Sequence, residues 1–169
     1  AEIAARLESA PQIPGRLEVV VDGPVTILID FAHTPAALER VLATLRPLVE
    51  GRLIVLFGAG GDRDAAKRPP MAAAVSRHAD LVILTSDNPR TEDPELILDQ
   101  LEAGLGDVDA LRHPDRRAAI RTAIGAAVSG DLVLLAGKGH ERTQTVGTRR
   151  LPFDEVAIAR EAWAARGAA

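Results

Sequence analysis

At 169 residues, with 47% hydrophobic content, the chain is long enough to bury one substantial core, but its apolar mass is Ala, Val, Leu and Ile, and aromatics make up only 2%. That scarcity argues against stacking platforms for single-stranded nucleic acid, and a net charge of −4 without a basic stripe argues against a phosphate-backbone partner. The absence of cysteine excludes disulfides, thiolate chemistry and cysteine zinc sites; with no signal peptide and no run of about 18 apolar residues, a soluble, cytoplasmic protein with no membrane partner is expected.

Residues 1–13 carry a short helical pattern at 3–7 that Pro11 and Pro14 break, so a linker entering the domain is expected there. The chain opens on Ala1-Glu2-Ile3 without an initiator methionine, and a fragment of something longer is expected. From Gly15-Arg16 onward, β-rich runs at 17–21 and 25–29 flank Asp22-Gly23-Pro24 and predict a hairpin. Asp30 ends the second run. In Phe31-Ala32-His33-Thr34-Pro35, Thr34 can cap a helix and Pro35 can occupy its first turn; Leu38, Val41, Leu42 and Leu45 then share one helical face until Pro47.

A buried strand is predicted at 53–57, followed by the glycine-rich stretch 58–69, a helix at 70–78 and a strand at 81–84. The polar loop Thr85-Ser86-Asp87-Asn88-Pro89-Arg90-Thr91-Glu92-Asp93-Pro94 comes next, with Pro94 opening a helix to about 103. Ala110-Leu111 reads as a short strand. Asp115 can cap a helix reaching Val128, with Ile120, Ile124 and Val128 on its inner side. A strand at 132–136 leads into Gly137-Lys138-Gly139-His140-Glu141, then a hairpin whose first arm is 143–146, then a helix at 154–166. Strands alternating with helices predict an α/β fold: a mostly parallel sheet flanked by helices on both faces, with a hairpin near each end.

Each strongly polar or glycine-rich loop (30–34, 58–68, 87–90 and 137–141) follows a predicted strand. Parallel strands would bring all four to one edge, where open α/β sheets bind ligands. Arg90 can grip a carboxylate or phosphate through paired hydrogen bonds, and Asn88 can add a donor and an acceptor. The 58–68 loop allows close approach through its glycines and supplies Arg63, Lys67 and Arg68 as charge. It is not a dinucleotide fingerprint, because Arg63 stands where the third glycine belongs. Gly137-Lys138 resembles half of a P-loop, but Gly139 stands where Ser or Thr is required and no glycine precedes at the right distance. Each loop by itself also reads as an ordinary turn. His33 can donate to a phosphate at a helix N-terminus or serve as a surface cap; His78 and His113 have no ligand-spaced partner, and neither a metal site nor a Ser/His/Asp triad is readable.

Taken together, Pro14-Gly15-Arg16-Leu17-Glu18, Asp30-Phe31-Ala32-His33-Thr34-Pro35, Gly60-Gly61-Asp62-Arg63-Asp64 with Lys67-Arg68-Pro69, Asp87-Asn88-Pro89-Arg90 and Gly137-Lys138-Gly139-His140-Glu141 occur in the order and spacing of the C-terminal domain of the Mur ligases, which the chain resembles over nearly its whole length. Within that family these segments are most similar to those of the ligases that add meso-diaminopimelate to UDP-N-acetylmuramoyl-L-alanyl-D-glutamate in peptidoglycan biosynthesis. The resemblance implies a Rossmann-like amino-acid-binding domain over 14–169 and a linker from a missing central domain over 1–13. It implies that Arg63, Asp87, Asn88, Pro89, Arg90, Gly137 and Glu141 hold the amino acid and that Arg16, Asp30 and His33 look toward the nucleotide, with no catalytic residue of its own. ATP and Mg²⁺ would be bound mainly by the central domain. Phe31 is a departure, because many relatives carry tyrosine there, so any hydrogen bond from that ring is lost. The implied partners are diaminopimelate, ATP, the UDP-muramoyl dipeptide and the remaining ligase domains, and the fragment alone is expected to be inactive. A lysine- or ornithine-adding ligase and a stand-alone amino-acid- or anion-binding module are the rival readings.

Overall fold

Runs of Leu, Val and Ile that are buried from end to end take the middle of the sheet. The computed structural model describes residues 11–166. Within it, β1 (Glu18–Val21), β2 (Thr26–Asp30), β3 (Leu53–Phe57), β4 (Leu81–Thr85), β5 (Ala110–His113) and β6 (Leu132–Ala136) form a six-stranded sheet in the order β1-β2-β6-β3-β4-β5. β3 and β6 are buried at every position and lie side by side at its centre. All neighbouring pairs from β2 to β5 are parallel, and β1 returns antiparallel against β2, closing the expected hairpin.

Successive side chains point to opposite faces, which divides the core in two. Leu53, Val55, Phe57, Leu132 and Leu134 pack with α1 (Pro35–Leu45), α2 (Arg68–Ser76) and α3 (Pro94–Glu102). Ile54, Leu56, Val133 and Leu135 pack with α4 (Arg116–Ala126) and α5 (Glu155–Arg166). The second hairpin, β7 (Thr143–Val146) and β8 (Arg149–Pro152), stands apart from the sheet.

The helix starts follow their caps. Thr34 Oγ1 accepts from Ala37 N at 3.3 Å, Asp93 from Glu95 N at 3.0 Å, and Asp115 from Arg117 N and Ala118 N at 2.8 and 3.2 Å. Two of the ends that differ from the sequence reading have a visible local cause. A 3₁₀ turn, Ala65–Lys67, capped by Asp64, lets α2 begin at Arg68 instead of residue 70. Ala127 is already extended (ψ 146°), so α4 stops at Ala126 and Val128, expected on the inner face, is 54% exposed. The helical pattern expected at 3–7 lies outside the described residues.

Candidate substrate site at the carboxyl edge

The parallel strands deliver the loops after β2, β3, β4 and β6 to one edge, where they enclose a cavity of about 340 Å³. His33, Arg63, Asp87, Asn88, Arg90, Gly137 and Glu141 all line it. Among the residues singled out from sequence, Arg16, Asp30 and Pro89 do not.

After β2, both Asp30 oxygens accept backbone N–H groups, from Leu17 at 2.9 Å and Ala32 at 2.8 Å. The carboxylate therefore ties the turn to the chain ahead of β1. The exposed Arg16 guanidinium lies 4.6 Å above the Phe31 ring, which also meets His33 and His140 at 4.5 and 5.3 Å. His33, which lines the cavity, donates through Nδ1 to the Phe31 carbonyl at 2.7 Å, which leaves Nε2 as the other ring nitrogen.

The β3 and β4 loops interlock. Gly61 N donates to Asn88 O at 2.9 Å, and a Cβ on Gly61 would sit 1.9 Å from Pro89 O, so only glycine fits there. Arg63 is exposed at the cavity edge. Arg68, read from sequence as charge that the loop supplies, is 1% exposed and spends that charge inside the protein: it donates to Glu92 at 2.8 and 3.0 Å, to Gln100 at 2.7 Å and to Gly60 O at 3.1 Å. Hydrogen bonding from Arg68 holds the Glu92 carboxyl below its ordinary value.

Asn88 joins three segments. Its Oδ1 accepts from Lys138 Nζ at 3.1 Å and Thr145 N at 2.9 Å, while Nδ2 donates to Glu141 Oε2 at 3.0 Å. The acceptor half that the sequence reading offered to a ligand is thus used inside the protein. Arg90 has φ +52° and donates through Nη1 to Gly61 O at 2.6 Å. Burial pushes the Glu141 carboxyl up, but the Asn88 hydrogen bond, Lys138 and the Arg90 charge outweigh it and hold the group below the ordinary glutamate value.

The sequence reading treats Lys138 only as a P-loop lysine and misses it as part of this site. A lysine between two glycines directly after an all-apolar strand was the available signal. Both glycines have positive φ, +112° at Gly137 and +51° at Gly139, and the lysine between them is fully buried.

The cavity therefore presents the guanidinium groups of Arg63 and Arg90, the carboxylates of Asp87 and Glu141, and the amide of Asn88. Such a set suits a small molecule carrying both carboxylate and ammonium groups. Among the described residues there is no group of three or more His, Asp or Glu side chains that could hold a metal ion, and no helix is long and apolar enough to cross a membrane.

The family model described as Mur ligase, glutamate ligase domain, matches residues 15–139. UDP-N-acetylmuramoyl-L-alanyl-D-glutamate–2,6-diaminopimelate ligase of Geobacillus kaustophilus is 50% identical over 98% of this chain, and the protein of the same name from Nostoc sp. is 50% identical over 95%. The chain spans about a third of the length of these relatives, 34% and 33%. A solved structure of a UDP-N-acetylmuramoyl-L-alanyl-D-glutamate–2,6-diaminopimelate ligase superposes with a TM-score of 0.88 at 41% identity, covering 98% of this chain and 37% of that one. A bifunctional folylpolyglutamate synthase/dihydrofolate synthase from Yersinia pestis, complexed with AMPPNP and a Mn ion, superposes at 0.62 with 27% identity over 78% of this chain and 30% of that one. With its fold and its family model in agreement, the chain belongs to the Mur ligase, glutamate ligase domain family.

Proposed function

We propose that this chain is the amino-acid-binding domain of an ATP-dependent ligase that joins meso-diaminopimelate to UDP-N-acetylmuramoyl-L-alanyl-D-glutamate in peptidoglycan biosynthesis. The carrying observation is the convergence of Arg63 and Arg90 with Asp87 and Glu141 around one cavity of about 340 Å³. A diamino diacid offers two carboxylates and two ammonium groups to that set. Arg63 and Arg90 take carboxylate, Glu141 with Asp87 takes ammonium, and Gly137 contributes backbone at the cavity wall. Lysine and ornithine lack the distal carboxylate, so either would leave an arginine fork without its partner.

Arg16, stacked and exposed on Phe31, and His33, at the cavity wall with Nε2 not used by Phe31, fit a role toward the nucleotide. Asp30 serves that role by holding the Leu17 and Ala32 backbone that positions both neighbours. ATP activates the D-glutamate γ-carboxylate, and the part played by this domain is to position the attacking amine. In this proposal ATP and Mg²⁺ are held mainly by the parts of the ligase outside the third of its length that this chain spans. The partners are accordingly the small-molecule substrates and the remaining ligase domains, in the cytoplasm.

The test is competition in the intact ligase that carries this domain, with ATP, Mg²⁺ and the UDP-muramoyl dipeptide present and the three amino acids offered together. Diaminopimelate should be preferred over lysine and ornithine on the order of 10⁴-fold in kcat/KM. Comparable use of lysine or ornithine overturns the substrate assignment, and ligation of none of the three overturns the ligase reading in favour of an independent binding module.

A further inference from the structure

Lys138 sits behind the site, with no atom at the cavity wall, and connects the groups that do line it. Its three ammonium protons meet three acceptors from three segments: Asn88 Oδ1 at 3.1 Å, Glu141 Oε2 at 3.2 Å and Thr143 O at 3.0 Å. A fourth oxygen, Asp87 Oδ1, lies 3.4 Å away. The side chain is 0% exposed. A buried ammonium is retained only where such a complete set of partners compensates its lost hydration.

We propose that Lys138 is a positioning residue for the amino-acid substrate: it fixes the direction of the Asn88 amide and holds the Glu141 carboxylate in register to receive the substrate ammonium. This rests on the function proposed above. The amide direction follows from the partners alone. Asn88 Oδ1 faces two donors, Lys138 Nζ and Thr145 N, and Nδ2 faces the Glu141 acceptor; a flipped amide would set donor against donor and acceptor against acceptor. Charge points the same way. The ionised groups facing Glu141 are Lys138 and Arg90, and Asp87 Oδ1, 3.4 Å from Lys138 Nζ, lies 3.5 Å from the same Asn88 Nδ2 that donates to Glu141. One ammonium between two carboxylates leaves a net negative charge on that wall, held away from mutual repulsion. Without Lys138 the two carboxylates would face each other across Asn88, and proton uptake by Glu141 would become easier.

In the intact ligase, Lys138→Met should raise KM for diaminopimelate about tenfold or more while KM for ATP stays within about twofold. The acid limb of kcat/KM for diaminopimelate should move to higher pH, because the cation that favours ionised Glu141 is gone. A lysine that only supported the fold would lower the amount of active enzyme and leave KM and the limb unmoved, and that result overturns the proposal. Lys138→Gln, which keeps a donor toward Asn88 and removes the charge, carries the same expectations should the methionine variant fail to fold. A second readout needs no ligation: the Asn88 side-chain amide resonance in ¹⁵N-labelled protein should report the Glu141 titration below the ordinary glutamate value in the native protein and at higher pH in Lys138→Gln. A resonance that titrates at the same pH in both overturns the coupling. If the resonance responds as expected but diaminopimelate is not a substrate, the proposed function falls and the coupling stands.

Discussion

Arg90 occupies a left-handed backbone conformation that a non-glycine residue adopts at a cost of about 1 kcal/mol or more. The loop over-determines it. Its N–H donates to Thr145 O at 3.1 Å, its carbonyl accepts from Gly147 N at 2.6 Å, and it bridges to Val146, so the β7–β8 hairpin clamps the backbone from one side. On the side chain, Nη1 is anchored to Gly61 O at 2.6 Å and touches Asn88 O at 3.4 Å, whereas Nε and Nη2 make no hydrogen bond among the described residues. One edge of the guanidinium is thus fixed, the other carries unused donors, and the residue lines the cavity, the arrangement a fork needs to receive a carboxylate. Arg90→Lys keeps the charge but cannot anchor on Gly61 O and take two carboxylate oxygens at once. The expected outcome is a loss of about ten- to a hundredfold in the ratio of kcat/KM for diaminopimelate over lysine, measured in the intact ligase. An unchanged ratio refutes the role given to this side chain.

Two helices and two strand ends meet at Arg116, on the first turn of α4. Its Nε donates to Glu155 Oε1 at 2.8 Å on α5, Nη2 donates to Ala136 O at 2.8 Å at the end of β6, and Nη1 reaches Ser86 O at 3.5 Å just past β4. The pair is sealed from water, with side chains 0% and 1% exposed. Since β4 and β6 carry the Asp87–Arg90 and Gly137–Glu141 loops, this one guanidinium sets their spacing from beneath. Arg116→Met should cost about 3–5 kcal/mol, because it leaves a buried carboxylate without its partner. Arg116→Met with Glu155→Leu removes both charges and should recover most of that loss. Urea unfolding of the two variants measures the difference, and a single variant within about 1 kcal/mol of native overturns the role. KM for diaminopimelate should be raised in both variants, since each removes the guanidinium from Ala136 O.

At the scale of the molecule, the centre of the sheet was legible because its strands are continuous apolar runs ended by Asp, Gly or Thr: 53–57 and 132–136 were read with the bounds the structure gives. The gathering of four loops at one edge followed from parallel strands alone. What escaped were pairings set by tertiary contact. Arg68 finds Glu92 and Gln100 across 24 and 32 residues, and no local pattern in its own loop announces that it is buried. Val128 fits the helical spacing of α4 but falls beyond the point where Ala127 turns extended. Lys138 belongs with these cases, and its placement also bears on what the domain can do alone. In a triphosphate-cradling loop the lysine must reach the ligand, whereas Lys138 is 0% exposed and bonded to Asn88, Glu141 and Thr143. The Gly137–Glu141 loop therefore offers no ammonium to ATP. These 169 residues by themselves, given ATP, Mg²⁺, the UDP-muramoyl dipeptide and diaminopimelate, should form no UDP-muramoyl tripeptide and release no phosphate. Product detected above a no-protein control would show that activation of the carboxylate, as well as delivery of the amine, resides in this domain.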